Sequence, residues 1–152
     1  MSIIWKYLDK RAATIAAIRD MSSMQFIIDH TDEDIRMERE KMSGLGSPKF
    51  DGMPRTHNPK AGEDTLVREI DKINVLEERY SQAKEYMAWF QPAWDALSKD
   101  EQCVLLTFYD DRINQTCAVY EICERYNIER SSAYNRKNKA LMHLQHLLFG
   151  GE

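Results

Sequence analysis

Several residue patterns that mark secreted, membrane or catalytic proteins are missing from this chain. Its three cysteines, Cys103, Cys117 and Cys123, are odd in number and show no C-x-x-C spacing. That argues against a disulfide framework and against a zinc site, and leaves them as buried thiols. No apolar run approaches the roughly 20 residues that a membrane span needs. The start MSIIWKYLDK lacks the basic residues followed by an apolar stretch that make a signal peptide. A cytoplasmic protein without membrane contact is the expectation. There is no strand-like alternation, no internal repeat, no nucleophile beside a base, no apolar carboxylate pair and no glycine-rich phosphate loop. The chain therefore reads as a binding protein rather than an enzyme, with no cofactor. The cluster Asp29, His30, Asp32, Glu33 and Asp34 invites a divalent cation, but an acidic helix start complementing the helix dipole is the simpler reading, so no metal is assigned.

Glycine and proline are also scarce outside one place. Four of the six glycines and three of the four prolines lie in SGLGSPKFDGMPRTHNPKAG, residues 43–62, which reads as a flexible linker. Its cations Lys49, Arg55 and Lys60 read as parts of a plain tether rather than as nucleic-acid contacts. The linker divides an all-α chain. Residues 1–42 form an N-terminal helical pair, one helix from Ile3 to about Asp29, weakened at Met21-Ser22-Ser23-Met24, and a second starting at Thr31 with Asp34 in a capping-box relation. Residues 63–96 form a long connecting helix, on which Leu66, Ile70, Ile73, Leu76, Tyr80, Ala83, Met87 and Phe90 recur at spacings of three and four, ended or kinked by Pro92. That stripe suits docking on the first helix or on a second copy, so the N-terminal or the connecting helix offers a homodimer contact. Residues 97–149 begin with the S-x-x-E box of Ser98 and Glu101. Three helices follow: to about Tyr109–Asp111, from about Thr116 to Tyr126, and from about Ser131 to Phe149.

Most telling is an absence of one sign of charge. From Arg130 to His146 the run RSSAYNRKNKALMHLQH holds Arg130, Arg136, Lys137 and Lys139 and no acidic residue, inside a chain of net charge −4. A local basic face on an acidic protein is the electrostatic signature of a surface that meets a phosphate backbone. The two closing helices carry helix-turn-helix chemistry: Cys123 as a small residue at the crossing, Asn127 as a turn residue tolerant of positive φ, and Ile128 plugging the corner. On a helical wheel with Ala133 inward, Ser132, Asn135, Arg136 and Lys139 fall on one outer flank. Asn135 suits adenine, Arg136 and Lys139 suit guanine or phosphate, and Ser131 and Ser132 suit phosphate oxygens. Arg130 reaches a base or the backbone from just before the helix. Lys137 lies nearer the core, its stem packed and its ammonium in water.

These residues resemble the region-4 domain of bacterial sigma factors. NIERSSAYNRKNKALMHL is similar to that pattern through Ile128, Arg130 and the K-A-L-x-x-L ending at Lys139, Ala140, Leu141 and Leu144. LSKDEQCVLLTFY is similar to its opening. The Gly/Pro segment with FDGMPR ahead of a long helix resembles small sigma-like regulators of phages and mobile elements in Gram-positive bacteria, the ArpU and RinA kind. The resemblance covers residues 97–148 and, loosely, 45–95. It implies a transcriptional regulator of late or structural genes in a phage or integrated element, binding double-stranded DNA at a promoter, with Arg130, Ser131, Ser132, Tyr134 and Asn135 where sigma factors touch DNA; the N-terminal helices are expected to form the dimer contact or to meet host RNA polymerase. Ser131 stands where the sigma pattern has a base-reading Glu, Ala133 replaces a larger aliphatic, and Glu129 sits where a Ser or Thr cap is usual, which leaves Ser131 to act as the cap. Two other readings remain open: a phage small terminase subunit, which also joins a helix-turn-helix to oligomerising helices, and a protein-binding module that meets RNA polymerase through its acidic half. Residues 1–62 are expected to be separable from half-site DNA affinity.

Overall fold

The structure, a computed structural model, describes residues 8–44 and 59–150. Five helices follow in order: α1 (Lys10–Gly44), α2 (Pro59–Asp95), α3 (Lys99–Tyr109), α4 (Gln115–Tyr126) and α5 (Arg130–Phe149). Helix accounts for 89% of the described residues and none of them is in a strand, so the all-α expectation holds. Among the described residues, no helix is long and apolar enough to cross a membrane.

The N-terminal part departs from the sequence reading. Instead of a helical pair there is, among the described residues, one 35-residue helix, and residues 3–7 of the expected first helix lie outside them. The Asp9 carboxylate accepts from the Ala12 N–H at 3.0 Å and starts it. Ser22 and Ser23 do not break it, because serine costs a helix only a few tenths of a kcal/mol and no glycine or proline intervenes. Thr31 does not cap a new helix. Its hydroxyl donates back to the Ile27 carbonyl, and the residue is buried. The acidic cluster from Asp29 to Asp34 therefore sits in mid-helix rather than at a helix start.

Of the Gly/Pro segment, residues 45–58, with Lys49 and Arg55, lie outside the described residues. The remainder is helical: Ser43 and Gly44 end α1 and residues 59–62 open α2. Proline is well suited to that first position, where its missing N–H has no helical partner anyway. Pro92 does not end α2. The helix runs on to Asp95, and the Ala96 N–H reaches the Pro92 carbonyl at 3.2 Å. The cysteines also differ from expectation: Cys103 and Cys123 are half-buried and Cys117 is exposed, because it faces away from the Ala118, Val119 and Ile122 stripe of α4.

The chain divides into two compact units, and the division cuts both long helices instead of following the linker. One unit spans Met24 to Glu85; the other joins the segment through Ser23 to the chain from Tyr86 onward. In the Met24–Glu85 unit, Thr31, Ile73 and Ala83 are buried. Arg39 pairs with Glu77 at 3.8 Å, and Glu38 and Glu69 meet across the two helices, each with a lysine one turn on, Lys41 and Lys72. Leu66 and Ile70 of the expected stripe stay exposed.

The other unit has two apolar clusters. The larger gathers Ala17 and Ile18 of α1, Phe90, Ala93 and Trp94 of α2, Leu97, Leu105 of α3, and Ala140, Leu141 and Leu144 of α5. The Tyr86 hydroxyl donates to the Ala17 carbonyl, tying α2 to α1. The smaller cluster joins Val104 and Phe108 of α3, Ala118, Val119 and Ile122 of α4, and Ala133 of α5. The N-terminal helix is thus part of the core on which α5 rests. That runs against the separability expected for residues 1–62, whose removal takes Ala17 and Ile18 from the cluster.

Candidate nucleic-acid interface

Each start and stop from α3 to α5 has a local cause. At α3, Ser98 Oγ accepts from the Glu101 N–H at 3.2 Å while the Ser98 N–H donates to Glu101 Oε2 at 2.9 Å, which is the capping box read from sequence. Asn114 caps α4 through the Thr116 N–H at 3.3 Å. Asn127 closes α4 at φ 50, ψ 51, the left-handed conformation assigned to it, and the Ile128 N–H returns to the Cys123 carbonyl at 3.1 Å. Ile128 then packs on the smaller cluster. Helix α5 starts at Arg130, one residue earlier than expected. Its N-cap is Glu129, extended at φ −77, ψ 161 and making no side-chain bond, so Ser131 is not the cap.

How α5 meets α4 decides what the pair is. Only Ala133, in the first turn of α5, joins α4 in the smaller cluster. The later core residues Ala140, Leu141 and Leu144 pack in the other cluster, which has no α4 member. The helices therefore meet near the start of α5 and then part, rather than packing side by side along their length. Ala118 and Ala133, both fully buried, let the two helices approach.

The N-terminal half of α5 is open on its outer side. Arg130, Ser131, Tyr134, Asn135, Arg136 and Lys139 are exposed, and Ser132 is half-buried. Ser131, Ser132 and Asn135 have no side-chain hydrogen bond to any described residue. Arg130 and Arg136 lie on tyrosines of α4, with the Arg130 guanidinium 5.1 Å from the centre of the Tyr120 ring and that of Arg136 4.6 Å from Tyr126. Stacking of this kind holds a guanidinium without neutralising it. The Tyr126 hydroxyl donates to Asp100 Oδ1 at 3.1 Å.

No acid within 4 Å pairs with Arg130, Arg136, Lys137 or Lys139 among the described residues. Acidic neighbours nevertheless exist that the α5 sequence alone does not reveal. Asp100 and Glu101 of α3 line a cleft with Arg136 and Lys139, and Glu101 Oε1 lies 2.8 Å from His143 Nδ1. Burial raises the Glu101 carboxyl, but the Ser98 and His143 bonds outweigh it and hold the group below its ordinary range. The Arg136 edge thus faces a mixed field, whereas Ser131 and Asn135 face outward.

Along the other edge, Lys137 is half-buried with its ammonium 5.2 Å from the Phe108 ring centre and 5.1 Å from Tyr134. Burial, followed by the charge of Arg11, keeps it below the usual lysine value. Beside it Arg11 Nη2 of α1 donates to Asn138 Oδ1 at 3.1 Å. Tyr134 leans on Phe108, with ring centres 5.9 Å apart, so it divides its surface between packing and solvent. Sequence reasoning missed Tyr120, Arg11 and Asn138. Tyr120 and Arg130 stand ten residues apart across the turn, and nothing local marks Arg11 as a neighbour of α5. Comparisons with protein families, with curated proteins and with solved structures return no match for this chain.

Proposed function

We propose that the protein is a sequence-specific double-stranded DNA-binding protein that acts by binding, with no chemistry of its own, and that α5 is its recognition helix. The observation that carries this reading is the single crossing of α4 and α5 at Ala133, which leaves a row of polar and cationic side chains exposed on the N-terminal half of α5. An α-helix fits the major groove, Asn135 offers the amide that pairs bidentately with adenine, and Arg130 offers the same to guanine. The first-turn N–H groups of α5, which no cap side chain satisfies, add an anion-attracting end beside Ser131 and Ser132. The sigma-region-4 resemblance of residues 97–148 narrows the role to a promoter-binding regulator of a phage or mobile element, with RNA polymerase as the candidate protein partner.

The test is selection of bound fragments from a genomic library, followed by binding of the best site to variants. Asn135→Ala or Arg130→Ala is expected to cost about 1–3 kcal/mol on that site and to relax preference at one base pair, while Lys139→Ala weakens all sequences alike. Unchanged affinity and footprint in all three variants would take α5 out of the interface.

A further inference from the structure

We propose that Arg11, on α1, is part of the DNA-binding surface: with Lys137 and Asn138 it forms a second phosphate-binding edge along α5, opposite the edge made by Arg136 and Lys139. This rests on the reading of α5 as a groove-binding helix and adds a contact from a distant part of the chain.

A helix about 10–12 Å across seated in a groove about 12 Å wide meets sugar-phosphate backbone on both of its sides. At about 100° per residue, Arg136 and Lys139 fall on one side of Asn135, and Tyr134 and Asn138 on the other. On that second side α5 itself supplies Arg130, in its first turn over the Tyr120 ring, and Lys137, drawn inward over the Phe108 and Tyr134 rings. Arg11 extends the edge toward the middle of α5. Its guanidinium is held at Asn138 by a bond between residues 127 positions apart, and its field reaches Lys137.

The chemistry of this edge is one-sided. Asn138 Oδ1, its only side-chain acceptor, is taken by Arg11 Nη2. What remains is the Asn138 amide N–H pair, the other guanidinium N–H groups and the Lys137 ammonium, all of them donors. Phosphate oxygens are acceptors only. Arg11 carries no acidic partner within 4 Å among the described residues, in contrast to Arg19, which pairs with Asp111 at 3.4 Å, so its charge is free for a phosphate.

The salt dependence of binding to the selected duplex, measured for the full chain, separates this from a purely structural tie between helices. Each phosphate contact contributes about 0.9 to the slope of log affinity against log salt. Arg11→Gln keeps a donor for Asn138 and removes the charge, so its slope is expected to flatten by about 0.9. Between 50 and 200 mM salt the native protein then weakens about 3.5-fold more than the variant. Arg11→Lys keeps the charge and is expected to retain the native slope, with the thermal unfolding of both variants unchanged. A native slope in Arg11→Gln alongside flattened slopes in Arg136→Gln and Lys139→Gln overturns the second edge and leaves the recognition helix standing. Absence of salt-dependent duplex binding by the native chain overturns the DNA reading, and this inference with it.

Discussion

Substituting Ala133 by Leu tests the crossing on which the DNA reading depends. Ala133 is fully buried among Ala118, Val119, Ile122, Val104 and Phe108, and it is the one α5 residue in that cluster. Leucine adds three carbons where two alanines already face each other, so either side chains leave their rotamers or α5 lifts away from α4. Overpacking of this kind costs about 1–3 kcal/mol. For a chain of about 150 residues, each kcal/mol corresponds to roughly 2–4 °C in Tm. Thermal unfolding followed by circular dichroism should therefore show Ala133→Leu melting roughly 2–12 °C below the native protein. Ala16→Leu, at an exposed position of α1, is the control and should stay within about 0.5 kcal/mol. Duplex binding measured well below both melting points should fall for Ala133→Leu and not for Ala16→Leu, because displacing the start of α5 moves Arg130, Ser131 and Asn135 together. If Ala133→Leu melts and binds like the native chain, the two helices do not meet tightly there and the helix-turn-helix assignment fails.

Two more outcomes follow from local geometry. At Asn127, in the left-handed conformation, Gly should hold or raise stability by up to about 1 kcal/mol and Val should lose about 1–2 kcal/mol; equal stability of the two in urea unfolding would contradict the turn geometry. The Glu101 carboxyl titrates below its ordinary value in the folded protein, so its stabilisation is full above the unfolded carboxylate range and is lost as pH falls through the folded value. The advantage of the native chain over Glu101→Gln should accordingly shrink in unfolding experiments run from pH 7 down to pH 3, and a constant difference would refute it.

The C-terminal elements were legible because their signals are local. The Ser98–Glu101 box, the left-handed Asn127 and the Ala140, Leu141 and Leu144 stripe each act within one or two turns, so a short window of sequence contains cause and effect. The N-terminal half was misread for the opposite reason. Ser22-Ser23 and Thr31 carry weak local preferences for ending or capping a helix, and these lose to the continuous backbone ladder and to the side-chain back-bond at Thr31. Pro92 was read as ending or kinking the helix, and α2 runs on past it by three residues to Asp95. At the site, the flank of Ser132, Asn135, Arg136 and Lys139 followed from period alone. The acidic neighbours Asp100 and Glu101, the supporting rings of Tyr120 and Tyr126, and Arg11 depend on tertiary packing and left no mark in the run from Arg130 to His146.

Arg11 and Asn138 stand 127 positions apart, and Tyr86 reaches back 69 positions to Ala17. On a ribosome, the first turns of α1 therefore emerge long before Leu141 and Leu144 exist to cover them. Loop closure grows only as about (3/2)RT ln n, so this delay weighs less on equilibrium stability than on rate, which falls as contacts become more distant in sequence. Polypeptides released early would carry Ala17 and Ile18 uncovered, which makes truncated translation products the species most exposed to proteolysis and self-association.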